Sequence, residues 1–340
     1  MRVKREKIIC QGQLFEKSIR KVFNQKILYL SIKGDDMGFD IVTFGSAVID
    51  TFVNTDIGEK NHLFSYPAGG KILINDLKFD IGGGGTNTAV AFSRLGLKTG
   101  CICNVGTDVD GKNILDLLKK ENVIFLGKVD KSGITGHSVI LDSHGGERTI
   151  LTYKGVNNDI SLSELNVKNI ETKWLYYSAL LGKSFETQKK LAELLHKQGT
   201  KIAFNPSSYI IKNLDFFPIL KICDVLIVNL EEAEMICKRF NKKGDLFKSI
   251  NELGPKIVLI TNKDKFAVCF DGTRKYSIAP HKNIKVVERT GAGDAFASGF
   301  VAGQIAGLSI DKSLELALKE SESVIKYFGA KNKLIKMKLK

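Results

Sequence analysis

Short apolar runs along this chain alternate with stretches whose apolar residues recur every three or four positions. Residues 41–44 (IVTF) form the first run, closed by Gly45. The spacing of Ala89, Val90, Phe92 and Leu95 predicts a helix over 86–95, stopped by Gly96. A strand is expected at 100–105 and a helix at 112–120. From residue 174 the alternation is regular. Runs at 174–178, 201–204, 224–228 and 257–261 are separated by helical stretches near 185–197, 231–240 and 244–252. A hairpin (265–270 with 275–278) and two helices (292–307 and 311–327) follow. Strand–helix alternation at this spacing predicts parallel strands joined by right-handed crossovers.

Two segments break that rhythm. Residues 51–81 are rich in turn formers (Gly58, Pro67, Gly69, Gly70) and alternate in short stretches. Residues 138–142 and 148–153 flank His144-Gly145-Gly146 as a hairpin would. Both fit a small antiparallel sheet. The expected fold is therefore α/β: one doubly wound, mostly parallel sheet flanked by helices, with a small β appendage at about 51–81 and 137–153. In such sheets ligands bind beyond the carboxyl ends of the strands.

Composition narrows the function classes. Of 340 residues, 43% are hydrophobic and 26% charged, which excludes disorder throughout, and no apolar run is long enough to span a membrane. Six cysteines form no Cys-x-x-Cys pair, and the five histidines (62, 137, 144, 196, 281) have no ligand spacing, so a cytoplasmic protein without a zinc centre is expected. The net charge of +14 points at first to nucleic acid. Residues 1–36 carry +5 of it, however, and residues 331–340 another +5, leaving a mildly basic body. Two solvated tails, an accessory extension (1–36) and a C-terminal tail (331–340), account for this better than a specific nucleic-acid groove. Residues 18–30 have the pattern of a short basic amphipathic helix, and Met37 stands where translation could also begin.

Two glycine-rich loops carry the candidate chemistry. Residues 81–90 (IGGGGTNTAV) place four glycines before a helix, where backbone N–H groups can approach a ligand. Asn87 occupies the third glycine's place of a dinucleotide fingerprint, so an oxidoreductase is disfavoured, and no P-loop follows. Asn87 lies in the first helical turn, with an amide suited to a pair of sugar hydroxyls or to a simple cap. Residues 289–296 (RTGAGDAF) lead Gly291-Ala292-Gly293 into an apolar helix, with Asp294 in its first turn. Small residues at a helix N-terminus expose unpaired N–H donors, a site for phosphate.

Together these loops resemble the two signature segments of the ribokinase-like (PfkB) family of sugar and nucleoside kinases. The resemblance runs from about residue 40 to 334. It implies a ribokinase-like fold whose small sheet closes over the substrate as a lid, and an ATP-dependent sugar kinase. A nucleoside (adenosine or cytidine) kinase of the same fold is the alternative. Asp294 would be the base, and the N–H groups of Gly291, Ala292 and Gly293 would hold the transferring group. Residues 45–50 (GSAVID) are similar to the family's first strand ending in a substrate-binding Asp, so Asp50 would bind the sugar with Gly82, Gly83, Asn87 and Glu147. Asn229 and Glu232, from the element NLEE, would serve Mg²⁺ through its waters. Asn205, Thr261 and Gly329 resemble positions around the nucleotide. Lids of this kind pair between subunits, so a homodimer is compatible. Four departures stand out: Glu288 where Asp is frequent near a monovalent-cation site, Lys333 where Ser is sometimes a ligand, Gly84 where ribokinases and phosphosugar kinases often carry Lys, and Asn262-Lys263-Asp264 where Leu-Gly is more frequent beside the phosphates. K⁺ activation is left open by the first two, and the third argues against a phosphorylated substrate.

Overall fold

The computed structural model describes residues 38–339, apart from 57, 62, 143–147, 264 and 283. The segment 1–36, with the helix expected at 18–30 and the start at Met37, lies outside the described residues, as does Glu147.

Nine strands form the main sheet, with Phe39–Phe44 between Thr172–Ser178 on one side and Thr99–Ile102 on the other. Beyond Thr172–Ser178 the order continues through Lys201–Asn205, Val225–Asn229 and Ile257–Asn262, all parallel. An antiparallel hairpin, Phe266–Phe270 with Lys275–Ile278, ends that side. The chain thus runs outward in one direction from Phe39–Phe44, then returns to its other side, and that reversal opens a crevice at the strands' carboxyl ends.

Both faces of the sheet are covered, which is why its strands read as continuous apolar runs instead of alternating ones. Leu175 and Tyr177 point into a core shared with Phe185, Leu191 and Ile236. Trp174 and Tyr176, one residue out of phase, point into a second core with Phe92, Phe296 and Phe300. The helices between the strands of 174–261 all pack on the first side, and the helices Gly84–Arg94, Ala292–Ile305 and Ile310–Val324 cover the second.

The appendage is a four-stranded sheet in the order Arg148–Tyr153, Gly136–Asp142, Val48–Asn54, Asp76–Gly82. Its outer face is apolar and exposed at Leu77, Phe79, Leu151 and Tyr153.

Several expectations need correction. Asp50 does not end the first core strand. Gly45 turns the chain out of the main sheet, and Asp50 sits in the first lid strand. The strand expected at 100–105 is split, because Asn104–Gly106 leaves the main sheet to pair with Lys128–Asp130. Short helices at Ser208–Asn213 and Phe217–Lys221 gave no periodic signal, being under two turns long. The solvated C-terminal tail is also overturned. Residues 331–339 pack along the helix Gly84–Arg94, with Met337 N–H donating to Arg94 O (3.0 Å) and Leu339 N–H to Leu95 O (3.3 Å). Leu334 is buried among Val90, Ala91, Ala295 and Val324. Lysines dominate the count there, but the apolar residues between them decide where the segment goes.

Among the described residues no helix is long and apolar enough to cross a membrane.

Candidate active site

The helix Gly84–Arg94 begins where the last lid strand ends. Gly83 has φ 95°, a left-handed value that a side chain adopts only with strain, and a Cβ there would run into Ser46 O. The close approach lets Ser46 O accept from Gly85 N–H at 3.0 Å. Gly82 lies against Asp50, whose carboxyl fills the space a Cβ would need.

The second loop ends in Gly291 (φ 80°), which caps the helix Ala292–Ile305 with no side-chain acceptor. Ala292 N–H turns back to Arg289 O (3.2 Å), so it does not join the expected anion hole. The N–H groups of Gly291, Gly293 and Asp294 have no acceptor among the described residues. A helix N-terminus with open donors stabilises negative charge placed there.

The two loops meet. Asn87 Nδ2 donates to Asp294 Oδ2 at 2.8 Å, bridging 207 residues of sequence. A Cβ on Gly84 would lie 3.7 Å from Asp294 Oδ1 and 2.7 Å from Ser178 Oγ. The missing lysine of phosphosugar kinases would therefore have to start from a position already filled. Burial pushes the Asp294 carboxyl above its usual value, against the Asn87 hydrogen bond and the Lys331 charge, which pull it down. Asp50 is raised to about 6, chiefly by burial, with Lys331 and a Ser138 hydrogen bond opposing. Both carboxylates thus have a proton affinity closer to neutrality than free side chains have, as bases in clefts do.

A cavity of about 320 Å³ opens between lid and loops, lined by Asp50, Gly83, Ser138, Arg148, Lys154 and Gly291 among others. Arg148 Nη1 reaches Glu288 Oε1 (2.6 Å) and Thr290 Oγ1 (2.7 Å), tying the outer lid strand to the second loop. Glu288 Oε1 also accepts from the N–H groups of Arg289 and Thr290, so this oxygen is committed to protein donors. A larger cleft of about 430 Å³, between Arg94, Lys120 and Lys338, lacks glycine-loop donors and lies away from these groups.

The residues expected around the nucleotide stand at strand ends on the same edge of the sheet. Asn229 and Thr261 are register partners, and Asn205 donates to Ile227 O at 2.8 Å. Asn229 and Glu232 form a reciprocal capping box: Asn229 Oδ1 accepts Glu232 N–H (2.8 Å), and Glu232 Oε2 accepts Asn229 N–H (3.1 Å). Burial raises the Glu232 carboxyl above its usual value. No cluster of three or more acidic, His or Cys side chains able to hold a metal occurs among the described residues. One carboxylate beside an amide suits Mg²⁺, which keeps most of its waters and is carried by phosphates. Gly329 (φ 89°) lies at the turn before Lys331. Its α-carbon faces Asp80 of the lid strand, and its neighbour Ala330 abuts Gly291.

Sequence reasoning missed Lys331 and Asp80. Lys331 is 5% exposed and donates through Nζ to Ile81 O and Asn87 Oδ1. It sits in a run of lysines, and nothing local separates it from its solvated neighbours. Asp80 lies directly across from Asp50 in the lid sheet, a pairing visible only once register is known.

A family model described as pfkB family carbohydrate kinase matches residues 39–337. The chain belongs to that family. It is similar to an ATP-dependent 6-phosphofructokinase of Thermoanaerobacterium thermosaccharolyticum (27% identity; 91% of this chain, 93% of that one). It also resembles a cytidine kinase of Thermococcus kodakarensis (26%; 85% and 97%). In fold it is similar to the adenosine kinase of Sinorhizobium meliloti (TM-score 0.74, 19% identity, 88% and 97% covered). The ribokinase of Thermotoga maritima is comparable (TM-score 0.72, 20%, 86% and 95%). Kinases of this family transfer phosphate to a hydroxyl group, generally from ATP with Mg²⁺. This pfkB-family chain is accordingly a phosphotransferase acting on a sugar or nucleoside hydroxyl.

Proposed function

We propose that this pfkB-family protein is an ATP-dependent sugar kinase with Asp294 as its base. The observation that carries the reading is the contact between the two glycine loops. It sets a partly buried carboxylate beside open N–H donors, in a helix mouth next to a cavity that carries Asp50, Ser138, Arg148 and Lys154 on its wall. The sugar would lie in that cavity, with Asp50 and Ser138 as partners for its hydroxyls and Arg148 and Lys154 at its wall. The substrate hydroxyl gives its proton to Asp294 as its oxygen bonds to the γ-phosphorus, and the bond from that phosphorus to the ADP oxygen breaks. The N–H groups of Gly291, Gly293 and Asp294 take up charge on the transferring group. Asn229 and Glu232 would hold the nucleotide's Mg²⁺ through its waters, and the ion would supply neutralisation of phosphate charge. The lid excludes water, which would otherwise accept the phosphoryl group. The exposed apolar outer face of the lid at Leu77, Phe79 and Leu151 fits a second copy of the chain.

A sugar is preferred to a nucleoside because the described cavity lining holds no aromatic ring on which a base would stack. The test is ADP release over a panel of monosaccharides and nucleosides, with Asp294→Asn alongside. Turnover on a sugar, reduced roughly 10²–10⁴-fold in the variant, supports the reading. Turnover on nucleosides alone would replace it with the nucleoside kinase, and an active Asp294→Asn would remove the base.

A further inference from the structure

The lid sheet contains an arrangement that should be unstable. Asp50 and Asp80 are direct cross-strand partners, and Asp50 is nearly inaccessible to solvent. Like charges directly opposite in a sheet repel. The compensating cation comes from far along the chain. Lys331, two residues past Gly329, enters beneath the lid strand and donates to Ile81 O and Asn87 Oδ1.

That second bond has a consequence for the base. An ammonium group has donors and no acceptor, so the Asn87 atom facing it must be the amide oxygen. The amide NH₂ is then forced to face Asp294, where Nδ2 lies 2.8 Å from Oδ2. We infer that Lys331 is a positioning residue for Asp294: through Asn87 it delivers an N–H donor, polarised by the ammonium, to one carboxylate oxygen, leaving the other for the substrate hydroxyl. This rests on Asp294 being the base. A donor fixed on Oδ2 favours the ionised carboxylate and restrains its rotation. Without Lys331 the Asn87 amide is free to turn, and its oxygen can face Asp294 only when that group is protonated.

The charges around this relay come from every packed element. Lys331 faces Asp50 and Asp80 of the lid strands, Asp294 of the second loop's helix, and the like charge of Arg94 at the end of the first loop's helix. Arg94 is itself held by Glu121 (2.7 Å) and by Lys331 O (2.6 Å). Asp294 faces Asn87, Lys331, the Asp50 carboxyl and the Tyr176 ring, whose buried hydroxyl has no partner among the described residues. Burial lowers the Lys331 ammonium to about 8 against the pull of the carboxylates, so it is charged at neutral pH.

The test is the pH dependence of kcat/KM for wild type, Lys331→Met, Asn87→Ala and the double variant, on whichever substrate the panel selects. Loss of the relay raises the proton affinity of Asp294, so the acid limb should move up by about half a pH unit or more in Lys331→Met. Asn87→Ala should move it comparably, and the double variant should add little, because both changes cut one chain. An unmoved limb with a uniform loss of rate would reduce Lys331 to a lid anchor and overturn the inference. So would a Lys331→Met shift that persists in full on the Asn87→Ala background, since the ammonium would then act on the Asp294 carboxylate directly by its charge and not through Asn87. If Lys331→Met does not fold, Lys331→Gln keeps a donor to Asn87 Oδ1 but loses the polarising charge: the limb should still move up, by less than in Asn87→Ala, and an unmoved limb overturns the inference. Asp294→Asn in the same assay separates the two failures: an active variant removes the base itself, whereas an inactive one leaves the base standing and the relay alone in question.

Discussion

Asp50 is expected to weaken the fold that it serves. Its carboxyl is held near 6 in the folded chain against an ordinary 3.8, first by burial and then by Asp80 and Asp294. Below pH 3.8 it is protonated whether the chain is folded or not, and it contributes nothing. As pH rises toward 6, the unfolded chain ionises the group while the folded chain does not, so unfolding gains. The full difference is about 3 kcal/mol above pH 7, at 1.36 kcal/mol for each pH unit between the two values. Asp50→Asn removes this penalty and keeps an oxygen for the Ser138 hydroxyl. It also leaves Lys331 with one counter-charge fewer, so a net gain of about 1–2 kcal/mol at pH 7.5 is expected. Near pH 4 the gain should shrink to about 0.5 kcal/mol. Urea unfolding of both proteins at the two pH values measures the difference, and titrations common to both cancel. On the proposed reading kcat/KM should fall in the same variant, because a sugar in the cavity would lose its charged acceptor. A variant that is destabilised at pH 7.5, or stabilised equally at pH 4 and 7.5, would refute the reasoning.

Two further perturbations test the site and its support. Gly291→Ala places a side chain at φ 80° with its Cβ 2.5 Å from that of Ala330, which should close the N–H donors and cut kcat by about 10²-fold in the ADP-release assay. Truncation after Ala330 removes buried Leu334, the Met337 and Leu339 bonds and the Ile335 N–H that Glu320 accepts at 2.8 Å. It should cost at least about 3 kcal/mol in thermal unfolding and abolish turnover, whereas a solvated tail would be removed without effect.

The order of strands and helices was legible because each element buries a face whose period is written locally. Runs at 201–204 and 257–261 match observed strands within a residue or so. The second glycine loop was legible for a similar reason: Gly291 needs a positive φ and Asp294 follows in the first turn, both properties of a short contiguous segment. The Asn229–Glu232 element was equally local, and the structure adds that the two side chains cap one another.

Contacts between distant segments were not legible. Asp50 lies opposite Asp80 because the lid strands pair in one register of several, and that register is chosen by which faces are buried across the whole sheet. Residues 331–339 have the composition of a tail, yet they follow the helix Gly84–Arg94 because that surface offers an apolar seat for Leu334 and carbonyls for two N–H groups. Lys331 is one lysine among five in its segment, and only its place beneath the lid makes it an internal cation. The chain by itself determined its layers and its two glycine loops. Folding decided which charges face one another, because that depends on sums over elements far apart in sequence, to which no short stretch of residues has access.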